Sequence, residues 1–415
     1  MRKAEVRRVA VLGAGPIGLE AALYAQSLNL PVTLYERGRI GEHLHRWGHV
    51  RMFSPFGMNS TRLGRAAILA ENPKHELPAE GACLTGHEHL AAYLEPLAKT
   101  ASLLECLRTD TKVLQLSRRG FLKEDLPADP KRGSQPFRIL VRERKGPERI
   151  EEADAVLDCT GTYGQHRWMG DGGMPAVGEA TCEGQIAYGV ENILGDRRTT
   201  YAGKTVLVVG GSYSAATTVS SLADLAEEQP DTWVLWLARC SSTQPIARHP
   251  NDPLRERDRL AVRANTLATR GDGNVEFHNQ CFIELLESAG PDKGIQVTAR
   301  CAGKTRTWEA ERLIANVGYT PDTGIYRELQ VRECYATLGP ASLSRALTRQ
   351  ARADTGASAL LPASALSQPE PNFFILGAKS YGRNSQFLLR AGFEQVRQAF
   401  SLIVGKDDLN LYRGR

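Results

Sequence analysis

No stretch of the 415-residue chain approaches the roughly 18 uninterrupted apolar residues of a membrane-crossing helix, so no membrane span is expected. The eight cysteines, at 83, 106, 159, 182, 240, 281, 301 and 334, form no Cys-x-x-Cys pair and no zinc-knuckle spacing. A local dithiol relay and a structural zinc site are therefore not expected, and a reduced, cytoplasmic setting fits this cysteine usage. An excess of one charge is lacking too. The 52 Lys and Arg against 47 Asp and Glu leave +5, spread along the chain rather than gathered in a tail, so nucleic acid is not an expected partner. No heptads or repeats appear from which an oligomeric state could be read. The start, Met1-Arg-Lys followed by Val9–Leu12, imitates a secretory leader, but its apolar run is short and breaks at Gly13 without a cleavage site.

What is present is the composition of a globular α/β protein, 42% apolar and 24% charged, with 39 glycines where a backbone has to approach a ligand. Residues 8–12 read as a buried strand that runs at once into Gly13-Ala-Gly15-Pro16-Ile17-Gly18 and then into apolar residues at helical spacing. In strand, G-x-G-x-x-G, helix, the first glycine permits the turn and the second lets the backbone approach a pyrophosphate. The third lets helix and sheet pack closely, and the helix N-terminus offers free N–H groups. A second strand, 32–35, ends at Glu36, placed to accept hydrogen bonds from an adenosine ribose, with Arg37 beside it.

The pattern recurs. Residues 204–209 form an apolar strand that runs into Gly210-Gly211-Ser212-Tyr213-Ser214-Ala215 and a helix, with Ser212 and Ala215 at the second and third glycine positions. The following strand ends in Arg239 where the first unit has Glu36, and a guanidinium there suits a 2′-phosphate. NADP(H) is expected at this second loop and FAD at the first. The fold class expected is α/β, two Rossmann-like dinucleotide-binding domains with the NAD(P) domain inserted into the FAD domain. The boundaries read from the turns at Cys159-Thr160-Gly161 and Gly318-Tyr-Thr-Pro-Asp322 are 1–162, 163–311 and 312–415.

Assembled, these motifs resemble the two-dinucleotide-binding-domain flavoproteins, the superfamily of flavin-containing monooxygenases and disulfide reductases, over nearly the whole chain. The Cys159-Thr-Gly-Thr-Tyr163 turn, the approach Tyr201–Gly210 and the Gly318–Asp322 crossing are most similar to the class B monooxygenases. The resemblance implies an FAD-dependent oxidoreductase that takes hydride from NADPH, or from NADH, and oxygenates a small-molecule substrate with dioxygen through a hydroperoxyflavin. Two alternatives stand beside it: an NAD(P)H-dependent flavin reductase passing electrons to a quinone or protein acceptor, and a redox-sensing flavoprotein that binds a partner. One departure is plain. The class B stretch Phe-x-Gly-x-x-x-His is matched by Cys182-Glu-Gly184-Gln-Ile-Ala-Tyr188, with Cys for Phe and Tyr for His.

Residues 47–61 mix aromatics, Met and short polar groups, the composition of a cofactor-lined pocket. Met58 is expected at the flavin, and Asn59 resembles the asparagine that class B monooxygenases place beside it; it is the candidate catalytic contact, with a turn-forming Asn as the plain alternative. Among His43, His45, His49, His87 and His89, no Cys or carboxylate completes a ligand set, so no metal is expected, and His45 and Trp47 are read as FAD neighbours. Thr160 and Gly161 lie in the turn after the strand 155–158. Gly377 closes the last strand, and a helix is expected to begin at Ser385, so that Ser385, Gln386 and Phe387 face the flavin with the positive end of the helix. Residues 252–263 read as an amphipathic helix N-capped by Asp252, its arginines interleaved with Glu256 and Asp258.

Overall fold

The apolar run Val9–Leu12 forms a strand with all four residues buried. It is flanked on both sides by parallel strands, as a continuous rather than alternating apolar pattern requires. A computed structural model describes residues 8–249, 252–270, 273–290, 293–352 and 361–413. Contacts divide the chain into two units, Met1–Gly48 with Ser54–Gln165 and Thr320–Arg415, and His49–Phe53 with His166–Tyr319.

In the first unit the parallel strands lie in the order Phe373–Ile375, Ala155–Asp158, Val9–Leu12, Val32–Tyr35, Leu107–Arg108. Side chains alternate between two cores. Val9 and Val11 pack towards the helices Pro16–Ser27 and Leu389–Val404, where Tyr24 stacks on Phe400 at 5.2 Å. Ala10 and Leu12 pack against an antiparallel meander, Thr111–Arg118, Phe137–Glu143 and Glu148–Ala153.

The second unit repeats the plan. Its parallel sheet runs Val275–His278, Trp233–Leu237, Thr205–Val209, Arg312–Ala315, Ile186–Tyr188. Val206 and Val208 face the helices Tyr213–Glu228 and Arg255–Thr269, and Leu207 and Val209 face the meander Cys281–Ser288, Ile295–Cys301, Lys304–Ala310. The fold class is that expected from the two fingerprints, α/β with two Rossmann-like sheets.

Some local expectations are corrected. The strand Arg312–Ala315, expected to open the last segment of the first unit, pairs in parallel with Thr205–Val209 and belongs to the second, which extends to Tyr319. The amphipathic helix begins at Arg255, not at 252. Asp252 instead accepts from Leu254 N at 2.9 Å and pairs with the Arg257 guanidinium, and does not cap the helix. The last long helix begins at Leu389, because Gly382 is left-handed and Asn384 Oδ1 accepts from Gln386 N, which turns Ser385–Phe387 into an irregular approach. Cys281 and Cys301, distant in sequence, face each other across antiparallel strands and are bonded, the one disulfide among the described residues. No helix among the described residues is long and apolar enough to cross a membrane.

The meander of the first unit is tied to the C-terminal segment by a charge triad away from water. Arg118 Nε donates to Glu370 Oε1 at 2.8 Å and Arg132 Nη2 to Glu370 Oε2 at 2.9 Å, and all three side chains are fully buried. Gln330 N adds a bond to Glu370 Oε2, and the other guanidinium hydrogens go to the carbonyls of Gln135, Pro371, Leu122 and Asp125. Desolvating three charges is costly, so the triad holds only while complete. Glu370→Gln leaves two buried guanidiniums without a counter-charge and is expected to cost about 3–5 kcal/mol, measured by urea unfolding against the unaltered protein.

Candidate functional site

Each parallel sheet reverses its strand order beside its central strand, and open α/β sheets bind ligands at that crevice. In the first unit the reversal lies between Val9–Leu12 and Ala155–Asp158, which places the Gly13 turn beside Cys159-Thr160-Gly161. Gly13 has φ +91°, and a Cβ there would lie 2.9 Å from Cys159 O. A Cβ on Gly18 would lie 1.8 Å from Gly13 O, whereas one on Gly15 would meet nothing within 4 Å. Two glycines are therefore demanded by the protein's own backbone, and the middle one faces open space. That is the arrangement a pyrophosphate needs, at the N-terminus of a 12-residue helix with Pro16 in its first turn and no side-chain cap.

Glu36, 7% exposed, accepts from Ala14 N at 2.8 Å and from Gly38 N at 2.9 Å. It thus braces the phosphate loop, and its remaining lone pairs are what a ribose would use. Arg37 is exposed, its guanidinium near Gly164. Ile17 is buried against Gly377 and Gly392, so its side chain packs and only its backbone N–H belongs to the helix terminus. Gly377, at φ +69°, donates its N–H to Gln395 Oε1. Beneath this corner Lys379 Nζ donates to Asp158 Oδ2 at 2.6 Å and to Thr160 Oγ1 at 2.9 Å, with Lys379 and Asp158 fully buried. The pair fixes the Thr160-Gly161 turn to the segment after the last strand.

The helix Glu42–Trp47 separates the expected neighbours. His43 and Trp47, four residues apart, share the face that meets Tyr163, with ring centroids at 5.6 and 6.4 Å. His43 Nδ1 and Trp47 Nε1 are buried without a hydrogen-bond partner. Burial, with Arg37 and Arg46 nearby, holds His43 down at about 4, so its ring is neutral near pH 7. His45 lies on another face of this helix. Of the expected pair, Trp47 thus shares its face with His43 rather than with His45, as the four-residue spacing on a helix dictates. A dinucleotide with polar ring atoms fits these two orphaned groups and the open side of Gly15. Met58 is half-buried, and Asn59, 1% exposed, accepts from Ser54 Oγ at 2.7 Å and donates to Ser54 O at 2.8 Å. Ser385 and Gln386 are exposed, and Phe387 packs on Tyr381.

In the second unit a Cβ on Gly210 would lie 2.5 Å from Asn316 O, the same close passage at the same reversal. A Cβ on Gly211 would lie 3.6 Å from Ala238 Cβ, and Ser212 precedes the helix without capping it by its side chain. Tyr213 donates to Ala247 O at 3.0 Å and packs on Phe53; Ser214 is in the first turn and Ala215 is fully buried. Arg239 is exposed just past the strand Trp233–Leu237, with no ion pair among the described residues. Tyr188, at the place of the class B His, stacks on His166 at 3.6 Å and donates to the buried Glu179 at 2.8 Å. Among the described residues no three His, Cys, Asp or Glu side chains gather as a metal set.

The family profile described as pyridine nucleotide-disulphide oxidoreductase matches residues 10–122. Among solved structures, the bacillithiol disulfide reductase Bdr (YpdA) of Bacillus cereus superposes with a TM-score of 0.67 at 17% identity, covering 96% of this chain and 99% of that one. The ornithine N-hydroxylase KtzI of Kutzneria sp. 744, solved with reduced FAD, NADP+ and L-ornithine, gives 0.64 at 16% identity over 97% and 100%. The thioredoxin reductase of T. acidophilum gives 0.57 at 15% identity over 96% and 99%. The chain shares their fold. No curated protein matches it in sequence.

Glu20 sits one turn into the helix that the first loop opens. It is fully buried, its carboxylate accepts from Thr61 Oγ1 at 3.0 Å, and burial raises it from 4.5 to about 7, only partly offset by the hydroxyls of Thr61 and Tyr412. Between these values the folded chain keeps a proton that the unfolded chain has lost, so stability falls as pH rises from 4.5 to about 7 and then levels off. Glu20→Gln is expected to abolish that fall and to gain about 3 kcal/mol near pH 8, measured by denaturant unfolding across pH. Gly15→Val is expected to leave the fold intact and to lower dinucleotide affinity at least about tenfold, read by titration. Gly18→Ala is expected to destabilise the unit itself by about 1–3 kcal/mol or more.

Proposed function

We propose that this chain is an FAD- and NAD(P)H-dependent oxidoreductase, and that it acts as a flavin monooxygenase on a small-molecule substrate. The observation that carries the cofactor reading is the pair of glycine turns at two strand-order reversals, each in its own unit and each at the start of a long helix. FAD is assigned to the first unit. Its ring, when bound, supplies hydride acceptance from the nicotinamide and, once reduced, the chemistry of dioxygen. The loop 13–18 and the helix N-terminus hold the pyrophosphate, Glu36 takes the ribose, and His43 Nδ1 and Trp47 Nε1 are satisfied by the cofactor. NADPH is assigned to the second unit, where Gly210, Gly211, Ser212 and the N-terminus of the helix Tyr213–Glu228 hold the pyrophosphate and Arg239 reads the 2′-phosphate.

The work of these side chains is positioning and exclusion of water rather than supply of an acid or base. Asn59 is assigned as the polar group that directs oxygen transfer. Its carboxamide is held by Ser54, whose hydroxyl donates to Oδ1 and whose carbonyl accepts from Nδ2.

One observation weighs against disulfide exchange at the first loop. Cys159, at the first loop, is held protonated by burial and by Asp158, which deprives it of the thiolate a disulfide exchange requires. The ornithine N-hydroxylase and the S-allyl-L-cysteine S-oxygenase of Allium sativum support the monooxygenase reading through their shared fold; the disulfide and thioredoxin reductases support the plain reductase as its alternative.

The test is anaerobic reduction of the purified protein by NADPH and by NADH, followed by air, with oxygen uptake and product masses recorded. NADPH-selective bleaching and a product one oxygen atom heavier than its substrate are expected. Fast reoxidation with quinone reduction and no oxygenated product would replace monooxygenase by reductase. Negligible turnover of a yellow protein would favour a redox-sensing role, and a colourless protein that takes up no FAD would overturn the whole reading.

A further inference from the structure

We propose that the Cys281–Cys301 disulfide determines nucleotide specificity by holding the turn that carries Arg239, so that its reduction weakens binding of the 2′-phosphorylated dinucleotide. The proposal rests on the reading of Arg239 as the 2′-phosphate contact.

The two cysteines are directly opposite in the register of the antiparallel strands Cys281–Ser288 and Ile295–Cys301, and both are buried. Each is next to a residue in the left-handed region, Gln280 at φ 51° before Cys281 and Ala302 at φ 47° after Cys301. Ala302 N donates to Gln280 O at 3.2 Å, which closes the corner. From this corner two bonds reach the residues on either side of Arg239: Cys281 N donates to Ala238 O at 3.0 Å and Gln280 N to Cys240 O at 2.8 Å. Arg239 is exposed and has no side-chain partner of its own among the described residues, so its position is set by the backbone of its turn. Gln280 occupies a conformation that costs a non-glycine residue energy and persists only where the surroundings impose it. The cross-link is the covalent part of those surroundings.

Reduction by a dithiol such as dithiothreitol is balanced. A reagent thiolate attacks one sulfur, the other cysteine leaves as a thiolate, and the second reagent thiol displaces the mixed disulfide. Two electrons and two protons pass to Cys281 and Cys301, and the reagent departs as its cyclic disulfide. Freed, Gln280 relaxes out of the left-handed region and its N–H leaves Cys240 O. The turn then no longer fixes Arg239. NADH, which has no 2′-phosphate, is indifferent to the change.

The experiment uses the full-length protein. Thiols are counted after unfolding without reductant, dissociation constants for NADPH and NADH are measured before and after dithiothreitol, and hydrogen exchange is followed at 238–242. The double variant Cys281→Ser with Cys301→Ser serves as a reductant-free control. Six thiols rather than eight are expected in the air-purified protein. Reduction, or the double variant, is expected to lower NADPH affinity about tenfold, leave NADH affinity unchanged and speed exchange at 238–242. Eight thiols overturn the proposal at its premise. An unchanged NADPH-to-NADH ratio, with 238–242 as protected as before, overturns the clamp while leaving the Arg239 reading intact if Arg239→Ala alone abolishes the preference. If Arg239→Ala has no effect on that preference, the reading of Arg239 fails and the specificity proposal fails with it; faster exchange at 238–242 would then show a clamp without a role in specificity.

Discussion

A turn at the end of a central strand has to pass under its neighbour with no room for a side chain, and both units are organised around that passage. Gly13 runs under Cys159 O and Gly210 under Asn316 O, at the points where the strand order reverses. Once the turn is that tight, the following helix starts directly above the sheet's carboxyl edge, with its free N–H groups aimed into the crevice. The rest of the first unit supports this geometry. Glu36 ties the second strand to Ala14 N, and Gly18 lets the helix approach Gly13 O. Asp158 and Lys379 join the neighbouring turn to the chain's last strand.

The first unit is built from segments far apart in sequence, and its two buried charge clusters both join them. Asp158 meets Lys379, and Arg118 with Arg132 meets Glu370. Apolar packing alone would tolerate sliding of the C-terminal segment against the rest, because one Leu replaces another at modest cost. A buried carboxylate has no such freedom: displaced from its guanidinium or ammonium, it loses the partner that offsets its desolvation. Both clusters therefore act on register. Lys379 sets where Gly377 lies beneath Ile17, and Glu370 sets where the strand Phe373–Ile375 joins the sheet.

The phosphate loops were legible in the sequence because their constraint is local. Each needs a strand, small residues at fixed offsets and a helix, all within about thirty residues. Features that depend on distant pairing were not legible. Arg312–Ala315 reads as an apolar strand wherever it lies, and only its parallel partner Thr205–Val209 assigns it to the second unit. Cys281 and Cys301 meet because a hairpin folds them together, a register no spacing rule contains. Ser385 fails as a helix start because Asn384 uses its side chain to turn the backbone at Gln386, a choice that competes with helix at equal sequence cost. His45 and His43 are alike as residues, and only the helical face, fixed by Trp47 and Tyr163, distinguishes them.

The two loops are not copies, and their difference bears on what each is suited to hold. Gly18 brings its helix to a distance that no Cβ could share, while the corresponding Ala215 has a Cβ and is nonetheless fully buried. The second helix is thus set for a side chain at the position where the first requires none. Around the first loop the polar groups are internal: Glu36 is buried and bonded to the loop, and His43 and Trp47 hold buried orphan atoms. Around the second, Arg239 is exposed and borne on a turn that other backbone segments hold in place. Burying a ligand against internal groups slows its departure, whereas contacts made by an exposed guanidinium exchange readily with water and salt. The first loop has the physical character of a site that retains its ligand, and the second that of a site that exchanges one readily.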